Sequence, residues 1–388
     1  MNFLGENVKK KIIYADHAAT TKLDCDAFEA MKPYLLDFYG NASQPYSFSR
    51  LSKKALKESR EIIAKCINAK PEEIIFTSGG TESDNWAIKT ICYFKEKKQL
   101  ITSKIEHSAV IHSAKAVEKM GIDVFYLKAM EDGVITPDEL SGVISEETGL
   151  VSIMLVNNEI GSIQPIQKLV QVAHQYGALF HTDAVQAVGH IHVDVQELGV
   201  DMLSASAHKF NGPKGIGFLY IKEGTLINPY IDGGAQEFSL RAGTENIASI
   251  VGMAYALKKN CQNIEENKNK IIKLENMLIS ILNQDNNIEF VRNGGSNILP
   301  GNISLSFKGQ DGEAILHRLD LRGICVSTGS ACNGGNINIS HVLKAIQLSE
   351  DYAKGTIRIS LGKENTEEEI SIIANEIKRI INGKTYFD

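Results

Sequence analysis

Short runs of nearly unbroken apolar, often β-branched residues recur through the first two-thirds of the chain. Ile74–Thr77, Leu100–Thr102, Leu150–Val156, Ala178–Asp183, Met202–Ala205 and Gly217–Ile221 read as strands. Strands that are apolar at consecutive positions are those buried on both faces. Between them the spacing turns helical. After Pro165, residues Ile166, Leu169, Val170, Ala173 and Tyr176 share one stripe, and Gly177 supplies the stop. Alternating strands and helices predict an α/β fold with a mainly parallel central sheet. The pattern changes near residue 255. A long amphipathic helix is expected over about 257–282, with Ile271, Leu274, Leu278 and Ile281 on one face. Alternating strands follow at Ile303/Leu305/Phe307 and Ile357/Ile359/Leu361. A last helix opens with the capping box Thr366–Glu369 and continues through Ile370, Ile373, Ile377 and Ile380. This part reads as a smaller α+β domain. Gly224–Ala242 is loop-rich and is expected to cross near the junction. Ser327–Ser340, rich in Ser, Gly and Asn, is too polar for core and reads as a mobile loop.

Composition narrows the class. The 388 residues are 43% hydrophobic and 23% charged, which is globular and not disordered. With 41 basic and 47 acidic residues the net charge is −6, so bulk charge recruits neither nucleic acid nor an anionic membrane. Met1–Lys11 lacks the apolar core of a signal peptide. Stretches such as Val151–Val156 are far too short to span a bilayer. The six cysteines (Cys25, Cys66, Cys92, Cys261, Cys325, Cys332) form no Cys-x-x-Cys pair. That pattern argues against a zinc ribbon, a thioredoxin-type pair and a disulfide framework. A soluble protein in a reducing cytoplasm is expected.

Three segments carry candidate chemistry. Ile74-Ile-Phe-Thr-Ser-Gly-Gly-Thr81 runs from a strand through a glycine turn into a helix. Gly79 and Gly80 admit close backbone approach, and the helix N-terminus favours an anion such as phosphate; a plain βα turn with an N-cap is the alternative. Lys209 follows the apolar strand Met202–Ala205, at the sheet edge where α/β ligands bind. It can form a Schiff base if its basicity is lowered. Lys214 is a second candidate, and a solvated strand-end lysine the alternative. Asp183 ends another buried strand, where a carboxylate needs a cationic partner, unless it caps the next helix. It precedes Lys209 by 26 positions, the length of one βα unit. Together the three features suit pyridoxal 5'-phosphate: a helix N-terminus for the phosphate, a lysine for the aldehyde, an acid for the ring nitrogen.

The sequence resembles the cysteine desulfurases of the NifS/IscS type, in the class V aminotransferase family of fold type I. The resemblance runs along essentially the whole chain. Its motifs are Tyr14-Ala-Asp-His-Ala-Ala-Thr-Thr21, Gly40-Asn-Ala-Ser43, Phe76–Asn85, Ile105-Glu-His-Ser-Ala-Val110 and Val156-Asn-Asn-Glu-Ile-Gly161. The rest are His181-Thr-Asp-Ala-Val-Gln186, Ala207-His-Lys209, Arg241-Ala-Gly-Thr-Glu-Asn246, Ser327-Thr-Gly-Ser-Ala-Cys332 and Ile357–Gly362. It implies an aspartate-aminotransferase-like large domain over 15–254 and a small C-terminal domain over 255–388. The small domain carries a catalytic cysteine loop at about 327–340, and residues 1–14 pack against it. By the same resemblance Lys209 bears the cofactor and Asp183 pairs with its ring nitrogen. Asn158 and Gln186 bond around its phenolic oxygen and the substrate, and His107 stacks on the ring and moves protons. Gly80, Thr81, Ser206 and His208 hold the phosphate, Thr244 reaches the partner subunit's phosphate, and Arg358 binds the substrate carboxylate.

Cys332 is the implied nucleophile. Its loop is polar and glycine-rich, whereas Cys325 lies in an apolar run, Gly-Ile-Cys-Val. In the family this thiol takes sulfur from L-cysteine, leaving L-alanine and a persulfide for iron–sulfur cluster or other thio-cofactor assembly. The implied partners are a second copy of the chain and a sulfur-acceptor scaffold protein. No metal is implied. Gly40-Asn-Ala-Ser-Gln-Pro-Tyr46 departs from the family's Gly-Asn-Pro-Ser-x-x-His, and Gly80 stands where alanine is common. The alternatives are a selenocysteine lyase, another class V aminotransferase-family enzyme, and a non-catalytic scaffold that only docks partners.

Overall fold

The computed structural model describes residues 12–329 and 339–383. Its strands are β1 (Ile13–Tyr14), β2 (Ile74–Thr77), β3 (Gln99–Ser103), β4 (Asp123–Leu127), β5 (Thr148–Ser152) and β6 (Leu179–Asp183). They continue as β7 (Met202–Ser206), β8 (Gly217–Ile221), β9 (Phe290–Arg292), β10 (Asn302–Phe307), β11 (Ile324–Cys325) and β12 (Thr356–Ser360). The central sheet has seven strands in the order β2-β8-β7-β6-β5-β3-β4. Only β8 runs antiparallel to its neighbours, so the sheet is mainly parallel.

The consecutive apolar positions are explained by the two covered faces. Ile101, Val151, Phe180, Leu203 and Phe218 pack into one core, and their chain neighbours Leu100, Leu150, Met202 and Leu219 into another. Successive side chains of a strand point to opposite faces, so both faces demand apolar residues. The edge strand β4 is exposed at Asp123 and Phe125. Its half-polar pattern is why it lies outside the strands expected from sequence.

A second, antiparallel sheet has the order β12-β10-β9. Ile303, Leu305, Phe307, Ile357 and Ile359 pack there with the helices Ile264–Asn283 and Glu367–Ile381. The Thr366–Glu369 capping box forms as expected, with both reciprocal bonds present. β1 pairs in parallel with β11.

Three expectations change. The helix expected over 257–282 is two helices, Ile247–Gln262 and Ile264–Asn283, parted at Asn263 with φ −119° and ψ 17°. The Asn263 amide donates to the Lys259 carbonyl at 2.7 Å, which favours the break. The strand expected over 150–156 stops at Ser152, and the segment beyond it turns toward the site. The 224–242 loop is fastened to the helices Arg50–Cys66 and Gly80–Lys89 beside the large sheet. Trp86 Nε1 donates to Asn228 O at 2.8 Å, and Glu237 pairs with Arg60 at 2.6 Å.

Candidate active site

The loops after β2, β3, β5, β6 and β7 leave the same edge of the sheet, the carboxyl ends of its parallel strands. In open α/β sheets that edge, where the strand order reverses, is where ligands bind. A cleft of about 1760 Å³ opens there. Its walls include Gly80, Thr81, His107, Asn158, Asp183, Gln186, Ser206, His208, Lys209 and Arg358. The fold therefore brings together ten of the twelve expected site residues. Thr244 is exposed and lies outside this cleft. Cys332 falls outside the described residues; Ser327, Thr328 and Gly329 just before it, and Ile339 and Ser340 beyond, line the cleft.

Gly79, at φ +150°, makes the turn that starts the helix Gly80–Lys89. The first-turn N–H groups of any helix lack intrahelical acceptors and carry positive potential. Ser206 is buried beside this turn, its Oγ 3.5 Å from where a Gly79 Cβ would sit. His208 bonds through Nδ1 to Thr20 Oγ1 at 3.1 Å. Burial, then Lys209 and Lys214, lower its pKa to about 4, so its ring is neutral at pH 7 and has one N–H to donate.

Lys209 Nζ donates to Ala18 O at 2.6 Å and Ala19 O at 2.9 Å, and His190 Nε2 meets the Lys209 carbonyl at 2.9 Å. The Gln186 amide also donates to Ala18 O, at 2.9 Å. Lysine and glutamine thus converge on the Ala18–Ala19 turn. Asp183 is buried at the end of β6, and its Oδ1 accepts the Val185 N–H at 2.9 Å. The bond closes a turn, and no helix begins there. Burial raises the Asp183 pKa, while His107 and Lys209 favour its ionised form. His107 caps the helix Ser108–Glu118, its Nδ1 accepting from Ala109 N at 3.2 Å. Burial lowers its pKa, so the imidazole is neutral with its proton on Nε2.

Arg358, on β12, is not a surface residue. Its edge of the small sheet is covered by bridges from Asp16 to Ser360 and from Ser327 to Arg358. The guanidinium donates to Asn158 O and to Asp16 Oδ1, both at 2.8 Å, while its Nε is buried without an acceptor.

Sequence reading missed the acid cluster behind Asp183. Asp84 is fully buried, its Oδ1 has no hydrogen-bond partner, and it lies within 4.8 Å of ligand atoms of both Asp183 and His107. Burial and then Asp183 push its pKa well up. Glu106, buried against Ser103 Oγ and Met154 N, is raised to about 8 by burial. His181, between Ser152 Oγ and Ser204 Oγ, is lowered to about 3 by burial. The presence of Asp, Glu and His inside quoted motifs was the available signal; their mutual proximity was not.

These groups fit a small ring bearing a phosphate, an aldehyde and a basic nitrogen. A helix N-terminus, an amine and a buried carboxylate meet in one cleft. A family profile described as Aminotransferase class-V matches residues 13–373. The chain belongs to the class-V aminotransferase family. It is 46% identical over 374 residues to a cysteine desulfurase IscS of Dictyoglomus turgidum, covering 96% of this chain and 95% of that one. A solved NifS-like protein superposes with TM-score 0.90 at 37% identity, covering 96% of this chain and 100% of that one. A structure of SspA in complex with cysteine superposes with TM-score 0.81 at 37% identity over 91% of this chain and 100% of that one.

Proposed function

We propose that this protein is a pyridoxal 5'-phosphate-dependent L-cysteine desulfurase. It converts L-cysteine to L-alanine, leaving a persulfide on Cys332 that supplies sulfur for iron–sulfur cluster or other thio-cofactor assembly. The observation that carries the reading is the meeting of Lys209, Asp183, His107 and the Gly79–Thr81 turn in one cleft, in a chain similar to cysteine desulfurases throughout its length.

When bound, the cofactor supplies an electron sink for the substrate's Cα. Lys209 would hold its aldehyde, and the Lys209 amine would then be placed to move protons at the substrate's Cα. Asp183 stays ionised opposite the protonated ring nitrogen. That cation offsets the burial that otherwise raises the carboxyl's pKa. Gly80, Thr81, Ser206 and His208 hold the phosphate. Arg358, oriented by Asp16 and the Asn158 carbonyl, takes the substrate carboxylate. His107, neutral at pH 7, moves a proton at Nε2. The Cys332 thiolate bonds to the substrate sulfur as the substrate Cβ–S bond breaks; protons return to the carbon skeleton and alanine leaves. Ser327–Gly329 and Ile339–Ser340 line the cleft, which supports the reach of this loop to the site.

Residues 15–254 form the large domain in this reading and 255–388 the small one; of the expected 1–14 segment, residues 1–11 lie outside the described residues, and Ile13–Tyr14 pair with β11. The protein works as a cytoplasmic homodimer in which Thr244 reaches the partner subunit's phosphate. Exposed apolar side chains at Phe28, Leu35, Leu36, Tyr39, Tyr46, Phe48 and Leu51, close together in sequence, support such a contact. The acceptor is a scaffold protein; nucleic acid and membrane play no part. Among the described residues no helix is long and apolar enough to cross a membrane.

The test is the Cys332→Ala variant. It is expected to retain the cofactor's visible absorbance and to lose cysteine-dependent alanine and sulfide release by at least about a hundredfold. Full turnover in that variant would instead indicate a family enzyme that needs no loop thiol.

A further inference from the structure

Cys66 and Cys261 are 195 positions apart in sequence, yet both line one cavity and each thiol acts on the other. Cys66 is the last residue of the helix Arg50–Cys66, and Cys261 is the penultimate residue of Ile247–Gln262. Both thiols are partly exposed and open onto a cavity of about 850 Å³, which is separate from the active-site cleft. Tyr34, His192, Tyr255 and Lys258 also line it. Neither the desulfurase chemistry nor the dimer reading uses this place.

We propose that Cys66 and Cys261 form a dithiol–disulfide site that reacts with low-molecular-weight disulfides. Two features set the roles. Both thiols sit at helix C-termini, where the dipole disfavours a thiolate. At Cys66 that is offset by the neighbouring Cys261 thiol and by the Lys258 and Lys65 ammonium groups, which line the same cavity. Cys66 is therefore lowered below the ordinary thiol value, whereas the Cys66 thiol beside it, with burial, raises Cys261. Cys66 is the attacking thiol and Cys261 the resolving one. The cavity is large enough for a molecule of tripeptide-disulfide size to present its sulfurs there.

The chemistry balances without another reactant. The Cys66 thiolate bonds to one sulfur of R–S–S–R, and the S–S bond breaks to release one thiolate. Cys261 gives its proton to that thiolate or to water and attacks the Cys66 sulfur. The second R–S⁻ leaves and is protonated. Two protein thiols are oxidised, one small disulfide is reduced to two thiols, and the two helices become cross-linked. Disulfides in a reducing compartment are mostly transient and regulatory, which suits a partly exposed pair.

The experiment treats the holoenzyme with oxidised glutathione, blocks remaining thiols with iodoacetamide, and maps peptides by mass without reduction. The wild type is expected to yield a Cys66–Cys261 linked peptide. Cys261→Ser is expected to stop at glutathione on Cys66. In Cys66→Ser, Cys261 is expected to take up glutathione about tenfold more slowly than Cys66 does in Cys261→Ser. Recovery of both residues alkylated and unlinked in the wild type would overturn the proposal. Equal or faster glutathione uptake by Cys261 would overturn the assigned roles.

Discussion

Asp183 and Asp84 show how burial decides the state of a carboxyl. Two carboxylates within 4.8 Å in a buried site do not both ionise. Asp183 has His107 and Lys209 nearby, whereas Asp84 Oδ1 has no hydrogen-bond partner and faces the neutral His181 ring at 3.7 Å, so Asp84 holds the proton. Asp84→Asn, close in shape to the protonated acid, is expected to keep turnover within a few-fold. Asp183→Asn is expected to lower kcat by about 10²–10³. Steady-state kinetics on cofactor-saturated variants checks both; equal losses would contradict the assignment. Stability carries a signature from the same buried groups. The unfolded chain binds a proton on His181 below pH 6.5 that the folded protein refuses until about 3, so stability falls as pH falls through that window. Glu106 does the reverse: folded, it keeps a proton up to about pH 8 that the unfolded chain releases above 4.5, so stability falls as pH rises. Glu106→Gln should flatten the alkaline limb of a Tm-against-pH curve and leave the acid limb unchanged. Lys209 and Asp183 were legible in sequence because each follows or ends an apolar run. Asp84, Glu106 and His181 were not, because their meaning lies in one another's company, which only the folded chain creates.

At the scale of elements, the phosphate turn depends on a second strand. A Cβ on Gly217, at the start of β8, would lie 2.4 Å from Ala205 O and 2.8 Å from Gly79 Cα. Both obstacles are backbone, so no side chain can swing away. Gly217→Ala is expected to cost about 1–3 kcal/mol in urea unfolding and to weaken cofactor retention. The gain of replacing a flexible glycine, about 0.5–1 kcal/mol, is too small to offset that. The 237–239 turn is built differently: Glu237, Phe238 and Ser239 all have positive φ. Glu237 holds it in place with a two-pronged bond to Arg60 at 2.6 and 2.8 Å and another from Phe76 N. Glu237→Ala strands a buried guanidinium and is expected to cost about 3–5 kcal/mol, again read by urea unfolding. The strands of the central sheet were readable because burial on both faces leaves continuous apolar runs. The break at Asn263 was not, since no glycine or proline marks it; the Asn263 side-chain bond to the Lys259 carbonyl favours it.

For the whole molecule, the sheet edge gathers five loops into one cleft, while Thr244 lies outside it on the same chain. A second copy completes the site in the reading proposed above. Light scattering is expected to give a mass of two chains, and Leu36→Asp, in the exposed apolar run, to shift it toward one with loss of turnover. A fully active monomer would remove the role given to Thr244. The cysteine inventory has also changed in meaning. Six scattered thiols suggested only a reducing compartment, and the fold now pairs Cys66 with Cys261 and places Cys325 on β11. Sulfur transfer in the proposed reaction depends on Cys332. The direct measurement is mass spectrometry of the holoenzyme after brief exposure to L-cysteine, mapped to peptides without reduction. An added sulfur on the Cys332 peptide is the predicted result; the same increment on the Cys325 peptide, or none on either while alanine accumulates, would contradict it.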